Sequence, residues 1–586
     1  MYSDDELQKI EIQRKEWEEN TLNPAFKKYW LDKSPVEFYT PADTKKHDFL
    51  KKVGFPGEYP FTAGSYAFTR AAIAKPMMSK GADALAVISK SGMYSGYGCA
   101  EDYSDYYKEA LARGLQRAGT GPNIAFDLPT QIGYDSDNPL VKGEVGKVGV
   151  AVDCLRDFEV IYQTFTEGSD LDKIASNFTI NAPANIIVAM YIALADRRGI
   201  SPRKLRSTPQ NDILKEFVAR GTYIFPPQPS VKRMFRDSLV FLSQNCPGIE
   251  IASIGGLHIR EAGATREQDL SFSMAIGIEY LQTGIDAGLD IDSFAPQIGF
   301  NGFGGSMEFF KEIALQRAAR RMWATILKEK FGAKNPKSMM IRQLSGALIG
   351  CSSTTAQRPL NNLSRTVMGA VACALSGGPP VVYPPYDEPL GLGWSAEAQQ
   401  LTRDALLILL LEAGLSEVAD PLAGSYYMES LTDQIEEAAW KEMAKIEAMG
   451  GAIAAIESGY MHKEVAKSAY ERQSKIERGE TLIVGVNCAI GENELEVIPP
   501  RIVSYPYDPA RREQAEDKQI ASLKEVKRTR DNREVARLLQ ELEQAAKKED
   551  ENLIPHFIEC AKAYVTEQEM CDVLRGIFGE YQSTAL

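Results

Sequence analysis

Short apolar runs alternate with longer stretches of helical periodicity from about residue 46 to residue 415. Apolar runs bounded by Asn, Pro or Gly predict strands, whereas apolar positions three and four residues apart predict helices. The predicted strands are Asn123–Phe126, Asn177–Asn181, Ile251–Gly255, Ser293–Phe300, Met339–Gln343 and Pro380–Tyr383. The predicted helices between them include Ala184–Arg197, Ser207–Arg220, Arg266–Ala287 and Gly305–Glu329.

This alternation predicts an α/β fold with a parallel sheet and crossover helices. Because it continues over such a long segment, we predict a (β/α)8 TIM barrel over residues 46–415. Residues 1–45 are predicted to form an N-terminal helical arm, and residues 416–586 a mainly helical C-terminal region. In a barrel of this kind the functional residues lie in the loops that follow the carboxyl ends of the strands.

The charge balance and the cysteine pattern restrict the class of protein. The 586 residues include 66 Lys and Arg against 80 Asp and Glu, so the net charge is −14, which argues against nucleic-acid or anionic-membrane partners. The eight cysteines form no Cys-x-x-Cys pair, a pattern typical of reduced thiols in the cytoplasm. The longest apolar run, 405–415, is too short to span a bilayer. We therefore expect a cytoplasmic protein with no membrane partner.

Common catalytic motifs do not specify the reaction. The sequence has no phosphate-binding Gly-x-x-x-x-Gly-Lys-Ser/Thr motif, no dinucleotide-binding glycine motif and no Gly-x-Ser-x-Gly motif. The four histidines (His47, His258, His462 and His556) are far apart in the sequence and lie at no zinc-ligand spacing. Composition and spacing alone therefore predict a barrel enzyme of unspecified reaction, without a zinc site.

Three long strings resemble one enzyme family. They are Ala125–Pro139 (AFDLPTQIGYDSDNP), Gln210–Ser230 (QNDILKEFVARGTYIFPPQPS) and Gly256–Thr265 (GLHIREAGAT). They are similar to the catalytic barrel of methylmalonyl-CoA mutase and its relatives, the adenosylcobalamin-dependent acyl-CoA mutases. The resemblance implies a radical isomerase that rearranges the carbon skeleton of an acyl-CoA.

The resemblance assigns roles to individual residues. His258 matches the histidine that hydrogen-bonds the thioester carbonyl, Arg220 the arginine that binds the substrate's free carboxylate, and Tyr94 the tyrosine that packs between substrate and cofactor. Gln210 and Thr179 match residues of the same substrate pocket. Two further matches, Phe126 and Glu388, correspond to residues that face the corrin and the adenosyl ribose.

Arg220 and Tyr94 together favour an acyl group that carries a carboxylate, because relatives that act on uncharged acyl groups replace both residues. Lys215 and Glu216 lie in a string shared with relatives that lack the arginine. We therefore expect the partner of the Arg220 guanidinium to be the ligand's carboxylate, bound through two parallel hydrogen bonds.

The family's cobalamin-binding domain carries an Asp-x-His-x-x-Gly motif whose histidine ligates cobalt. None of the four histidines here has an Asp two positions before it and a Gly three positions after it. We therefore expect the cobalt of adenosylcobalamin to be ligated from a separate, small cobalamin-binding subunit. The resemblance also implies pairing of two barrels in a homodimer or heterodimer.

Several positions differ from the family pattern. Residues 67–93 replace the segment that threads the CoA arm through the barrel, and Gln297 replaces an arginine that contacts CoA. Leu344-Ser-Gly346 replaces His-Ser-Gln on the cofactor face, and Pro384 replaces an asparagine. Two alternatives to a methylmalonyl-CoA or succinyl-CoA mutase therefore stay open. One is a mutase of another acyl-CoA, such as 2-hydroxyisobutyryl-CoA or isobutyryl-CoA, and the other is a non-catalytic barrel that supports an active homologue.

Overall fold

The computed structural model describes residues 2–27, 38–45, 47–68, 72, 76–80, 98–112, 121–165, 170–342, 353–378, 384–390, 395–415, 417–491 and 509–583. Within these ranges helices alternate with short parallel strands, as the apolar pattern predicts. No helix in the described ranges is long and apolar enough to cross a membrane.

Five short strands make up the two parallel sheets of the described residues. They are β1 (Asn123–Ala125), β2 (Ser176–Thr179), β3 (Ser207–Pro209), β4 (Ala252–Ile254) and β5 (Ile298–Phe300). Strands β1, β2 and β3 form one sheet in that order, and β4 pairs with β5. A parallel bridge between Ser207 and Ile249 connects the two sheets, so the strands follow one another in space as they do in sequence. This confirms the parallel α/β arrangement.

Fifteen longer helices surround or follow these strands within the described ranges. They are Asp4–Trp17, Ala100–Ala112, Leu155–Ile161, Ala184–Arg197, Arg236–Asn245, Arg266–Asp286, Phe309–Thr325, Asn361–Leu375, Ala396–Leu411, Tyr426–Ala448, Tyr460–Glu477, Pro509–Thr529, Asn532–Ala546, Ile554–Lys562 and Glu567–Phe578. Shorter turns of helix that matter for the site are Leu128–Gln131, Ile213–Lys215 and Gly256–Glu261, and Glu216–Arg220 forms one π-helical turn.

Three predicted elements differ from the structure. The predicted helix Ser207–Arg220 begins as strand β3, because Ser207–Pro209 pairs with β2 and helical structure starts only at Ile213. The predicted strand Ser293–Phe300 begins at Ile298, because the Asp290 carboxylate caps a helical turn over Ile291–Phe294. The predicted strand Met339–Gln343 is not a strand over its described residues, because the Asn335 side chain caps a helical turn over Pro336–Met339. The predicted strand Pro380–Tyr383 lies outside the described residues.

An aromatic cluster fills the space between strands β1 and β2 and the helices behind them. Phe126 and Phe178 lie 6.2 Å apart between ring centroids, and both rings contact Phe158. Tyr162 stacks on Phe158 and donates its buried hydroxyl to Ser176 at 2.8 Å. Burying large aromatic rings supplies much of the apolar stabilisation of such a core, and it fixes the strand ends from which the site is built.

The C-terminal region packs onto the strand-and-helix region. Arg317 is fully buried and pairs with Asp420 and with Glu429, the latter at 2.6 Å. Arg233 donates to the Ala545 carbonyl at 3.1 Å and to the Glu549 carbonyl at 2.9 Å. Because buried charges are costly unless they are paired, these contacts fix the two regions against each other.

Candidate active site

The residues after strands β2 and β3 are held together by backbone hydrogen bonds. The Gln210 amide donates to the Phe178 carbonyl at 3.0 Å, and the Gln210 carbonyl accepts from the Ser253 amide at 2.8 Å. Asn211 has a φ of 47°, in the left-handed region that Asn tolerates, and its side chain donates to the Ile251 carbonyl at 2.8 Å. The loop after β3 is thus locked between its two neighbouring strands, β2 and β4.

The side-chain amide of Gln210 has a fixed orientation. Its Oε1 accepts from Asn181 Nδ2 at 3.2 Å and from Lys215 Nζ at 3.3 Å. Asn181 is itself oriented, because its Oδ1 accepts from the Asp212 amide at 3.0 Å. Since Oε1 faces two donors, Nε2 of Gln210 faces the opposite way, where it makes no hydrogen bond within the described ranges.

Glu216 is the centre of a buried charge network. Its Oε1 accepts from Lys215 Nζ at 2.5 Å and from Asn181 Nδ2 at 2.6 Å, and its Oε2 accepts from the amide and hydroxyl of Thr222. The side chains of Lys215 and Glu216 are both 0% exposed. Burial opposes ionisation of Glu216, but the positive charges of Lys215 and Arg220 and the hydrogen bonds outweigh it, so its pKa is below the ordinary value.

Arg220 ends the π-helical turn and extends between two supports. Its Nη1 lies 3.6 Å from Glu216 Oε1, and its Nη2 donates to Gln131 Oε1 at 3.1 Å. Nη1 is buried and makes no hydrogen bond in the described structure. The predicted ligand carboxylate is therefore not the first anion near Arg220, since Glu216 already lies within ion-pair distance. Glu216 is shared with the much closer Lys215, however, so Nη1 still has donor capacity for a second anion.

His258 lies on the short helix Gly256–Glu261 beyond β4, close to Lys215. The residue as a whole is partly exposed, but Nδ1 of its imidazole is buried and has no hydrogen-bond partner in the described ranges. A Cβ on Gly255 would lie 2.5 Å from this Nδ1 and 3.4 Å from Lys215 Cε, so only glycine allows this close approach. Burial, and then the charges of Lys215 and Arg220, lower the pKa of His258 well below its ordinary value. The imidazole is therefore neutral at neutral pH, and one ring nitrogen carries a hydrogen that can be donated.

Asp212 connects the segments that carry this network. Its carboxylate accepts from the Gly255 amide and from the Tyr280 hydroxyl, each at 2.7 Å. Burial raises the pKa of Asp212 to about 6. Asp212 thus connects the loop after β3 to the His258 turn and to the helix Arg266–Asp286, and it is not directed at a ligand.

The structure brings together three of the seven residues predicted for the site. Gln210, Arg220 and His258 surround the Lys215–Glu216 pair. Thr179 lies half-buried at the end of β2, beside Ala125 of β1. Tyr94 lies outside the described residues, as do Leu344-Ser-Gly346 and most of residues 67–93.

The two residues predicted to face the cofactor differ in their exposure. The Phe126 side chain is fully enclosed by the aromatic cluster, whereas Glu388 is half-buried in the turn Glu388–Leu390. Gln297, at the position of a CoA-binding arginine, is buried and donates to the Ile249 carbonyl at 2.8 Å. In this chain position 297 thus supports the backbone before β4.

Sequence reasoning gave no site role to the residues that hold the predicted ones in place: Gln131, Asn181, Asp212, Lys215 and Glu216. Gln131 and Asn181 follow the carboxyl ends of β1 and β2, so the rule that functional residues follow barrel strands could have found them. The hydrogen-bond partners of Lys215 and Glu216 include Asn181 after β2 and Gln210 after β3, and no local pattern signals such a network.

Comparison with known proteins identifies the family. The family model described as methylmalonyl-CoA mutase matches residues 32–580. The 2-hydroxyisobutanoyl-CoA mutase large subunit of Aquincola tertiaricarbonis is 35% identical over 584 residues, which cover 98% of this chain and 98% of that protein. The methylmalonyl-CoA mutase of Escherichia coli is 39% identical over 491 residues, 83% of this chain and 65% of that protein. The mitochondrial methylmalonyl-CoA mutase of Mus musculus is 38% identical over 493 residues, 84% of this chain and 63% of that protein. This chain belongs to the methylmalonyl-CoA mutase family.

Proposed function

We propose that this chain is the large, substrate-binding subunit of an adenosylcobalamin-dependent acyl-CoA mutase. Its reaction is the radical 1,2-rearrangement of the carbon skeleton of a carboxylated acyl-CoA, with methylmalonyl-CoA and succinyl-CoA as the leading pair. The family match and the relatives above support the reaction class. The five parallel strands in sequence order support a closed (β/α)8 barrel over residues 46–415 as the fold that carries the site.

The proposed substrate class rests on the hydrogen-bond donors around the Lys215–Glu216 pair. Three donors there have no hydrogen-bond acceptor in the described structure: Gln210 Nε2, Arg220 Nη1 and the His258 imidazole. The side-chain oxygens of Gln210 and Glu216, by contrast, already accept hydrogen bonds from protein donors. A pocket that offers donors favours a ligand rich in acceptors. A thioester carbonyl and a free carboxylate on one acyl group meet this requirement.

In this proposal the chain's own residues bind and orient the substrate. Arg220 donates to the acyl carboxylate, Gln210 donates to a substrate oxygen, and neutral His258 donates to the thioester oxygen and stabilises negative charge there. Such a positioned donor contributes typically about 10²–10⁴-fold to the rate. Because Asp212, Lys215 and Glu216 are held in mutual contacts, none of them is free to act as the base of a separate reaction.

The pocket fits a reaction whose difficult step belongs to a cofactor. Adenosylcobalamin, when bound, supplies the radical chemistry, and the protein supplies binding, orientation and exclusion of water. Glu388 is half-buried, and its predicted contact with the adenosyl ribose stays a prediction. Phe126 is fully enclosed, so its predicted contact with the corrin stays a prediction.

We further propose that cobalt is ligated from a separate, small cobalamin-binding subunit. None of the four histidines of the sequence has the ligand motif. We assign His258 to the proposed acyl pocket, while His47 lies 3.5 Å from Glu429 and His556 bonds Glu551 at 2.8 Å. The end-to-end match to a protein named a large subunit supports the same division of the enzyme into two subunits.

The test of the proposed function is a turnover assay of this chain with a small cobalamin-binding subunit and adenosylcobalamin. Succinyl-CoA, methylmalonyl-CoA, isobutyryl-CoA and 2-hydroxyisobutyryl-CoA are compared side by side. We expect the two carboxylated substrates to give the highest kcat/KM. A preference for 2-hydroxyisobutyryl-CoA would overturn the proposed substrate class and leave the assignment as a mutase intact. That substrate type is the one in the name of the relative that matches end to end. Turnover of none of the four would favour the non-catalytic barrel.

A further inference from the structure

Gln131 contacts Arg220 from the side opposite Glu216. It ends the short helix Leu128–Gln131 after β1, and its side chain is buried. Its Nε2 donates to the Phe126 carbonyl at 2.6 Å, and its Oε1 accepts from Arg220 Nη2 at 3.1 Å. Because a carbonyl can only accept, the Phe126 bond fixes the orientation of the amide, and Oε1 must face the guanidinium.

The two supports of Arg220 differ in charge. Glu216 is an anion, but its Oε1 lies 2.5 Å from Lys215 Nζ and 3.6 Å from Arg220 Nη1, so Lys215 takes the larger share of its charge. Gln131 holds Nη2 through a neutral oxygen. The Arg220 guanidinium is thus fixed on both sides, but its positive charge is only partly compensated.

We infer that Gln131 is the specificity-determining positioning residue of the acyl pocket. Its neutral amide holds Arg220 in place without cancelling its charge, so that the charge is available to a ligand carboxylate. A carboxylate at position 131 would lose the bond to the Phe126 carbonyl, but it would still face Arg220, neutralise the guanidinium and make the pocket suited to uncharged acyl groups. This inference rests on the carboxylated acyl-CoA proposed above.

The loop that carries Gln131 is anchored from outside the pocket by the helix Glu567–Phe578. Arg575 Nη2 donates to the Ile132 carbonyl at 2.8 Å, and its guanidinium lies 4.2 Å from the centroid of the Tyr134 ring. Gln568 Oε1 accepts from the Asp135 amide at 2.9 Å. A loop held in this way keeps its backbone when one side chain changes, so a substitution at Gln131 tests charge more than folding.

The experiment measures equilibrium binding of succinyl-CoA and butyryl-CoA, which differ in the terminal carboxylate, to the full chain and to its complex with the small subunit. We expect Gln131→Glu to weaken succinyl-CoA binding at least about tenfold, which corresponds to about 1.4 kcal/mol, and butyryl-CoA binding far less. Gln13→Glu, which adds the same charge at an exposed position of the helix Asp4–Trp17, is the control and should change neither affinity.

A double-mutant cycle separates positioning of Arg220 from a general structural effect. In an Arg220→Gln background, Gln131→Glu should change the ratio of the two affinities much less than it does in wild type, because the charge that it would neutralise is gone. Thermal unfolding of each variant reports folding. Should Gln131→Glu not fold, Gln131→Met provides the test: loss of the neutral hydrogen bond should weaken succinyl-CoA binding about fivefold, corresponding to about 1 kcal/mol, and leave butyryl-CoA binding unchanged.

The outcomes are distinguishable. A wild-type chain that binds butyryl-CoA as tightly as succinyl-CoA overturns the proposed substrate class and this inference with it. Two other outcomes overturn the role of Gln131 alone. In the first, Gln131→Glu leaves the wild-type preference for succinyl-CoA unchanged. In the second, Gln131→Glu reduces that preference as much in the Arg220→Gln background as in wild type.

Discussion

At the scale of single residues, the site depends on charges that are buried and only partly paired. His258 is neutral because it is buried beside two cations, and Arg220 keeps donor capacity because its anion is shared with Lys215. Changing either residue therefore tests chemistry directly, because neither residue holds the strands together.

Replacing His258 with Ala should lower kcat by roughly 10²–10⁴, with a smaller change in KM, because a positioned donor to the thioester oxygen is lost. The measurement is steady-state turnover by the complex with adenosylcobalamin. His462→Ala is the matched control, since His462 is exposed on the helix Tyr460–Glu477. Turnover that stays near the wild-type value would show that His258 is only a packing residue.

Replacing Arg220 with Gln should reduce kcat/KM on succinyl-CoA at least roughly tenfold, because charged hydrogen bonds contribute about 1.5–3 kcal/mol each. On isobutyryl-CoA the loss should be much smaller, since that substrate has no carboxylate to pair. Arg528→Gln, at a largely exposed position, is the control and should behave as wild type on both substrates. Equal losses on the two substrates would contradict the role of Arg220 in binding the carboxylate.

At the scale of elements, the helix Arg266–Asp286 carries a carboxylate that makes stability depend on pH. Asp269 Oδ2 accepts from the Gly304 amide at 3.0 Å, while its buried Oδ1 has no hydrogen-bond partner in the described ranges. Burial raises the pKa of Asp269 to about 7. Arg260, Arg266 and Glu312 are the charged groups around it, and Ser273 and Gly256 pack against its free oxygen.

Because the folded state binds this proton more tightly than the unfolded state, Asp269 should lower the free energy of unfolding as pH rises from about 4 to about 7. Asp269→Asn removes the ionisation and can keep the bond from Gly304. We expect this variant to match wild type near pH 4 and to be the more stable protein at pH 8 in denaturant unfolding. Asp550→Asn, at an exposed position, should show no such trend. A difference between Asp269→Asn and wild type that is the same at every pH would contradict the prediction.

At the scale of the whole molecule, the C-terminal helix Glu567–Phe578 and the residues after it contact the segments that carry the two supports of Arg220, Gln131 and Glu216. Arg575 anchors the loop of Gln131, and the Tyr581 ring packs edge-on against Phe217 and Tyr223, at 4.9 and 4.8 Å between centroids. These two rings lie in and just after the π-helical turn that ends at Arg220. Residues far apart in sequence therefore fix the proposed acyl pocket.

The whole-molecule prediction concerns the cofactor. We expect the purified chain alone to bind adenosylcobalamin weakly and to show no mutase turnover, and the addition of a small cobalamin-binding subunit to restore both. Binding is measured by the change in the cobalamin absorption spectrum, and turnover by product formation from succinyl-CoA. The small subunit alone is the control. Turnover by the lone chain would contradict a divided cobalamin site.

The sequence by itself determined two things: the family, and the helices whose apolar periodicity is strong. The helix Ala184–Arg197 was predicted to the residue, and the helix Arg266–Asp286 within one residue of its end, because a long apolar face specifies a helix locally. Three motif strings sufficed for the family, and they contain Gln210, Arg220 and His258.

Only the tertiary structure decided how those residues are oriented and charged. The apolar pattern of residues 207–220, taken alone, predicts one helix. The strand Ser207–Pro209 forms instead because β2 pairs with it. Glu216 is shared by Lys215, Arg220 and Asn181, and Gln131 reaches Arg220 across 89 positions of sequence. Hydrogen-bond direction and burial, which set the pKa of His258 and the free charge of Arg220, depend on neighbours in space. A linear pattern of residue types does not contain those neighbours.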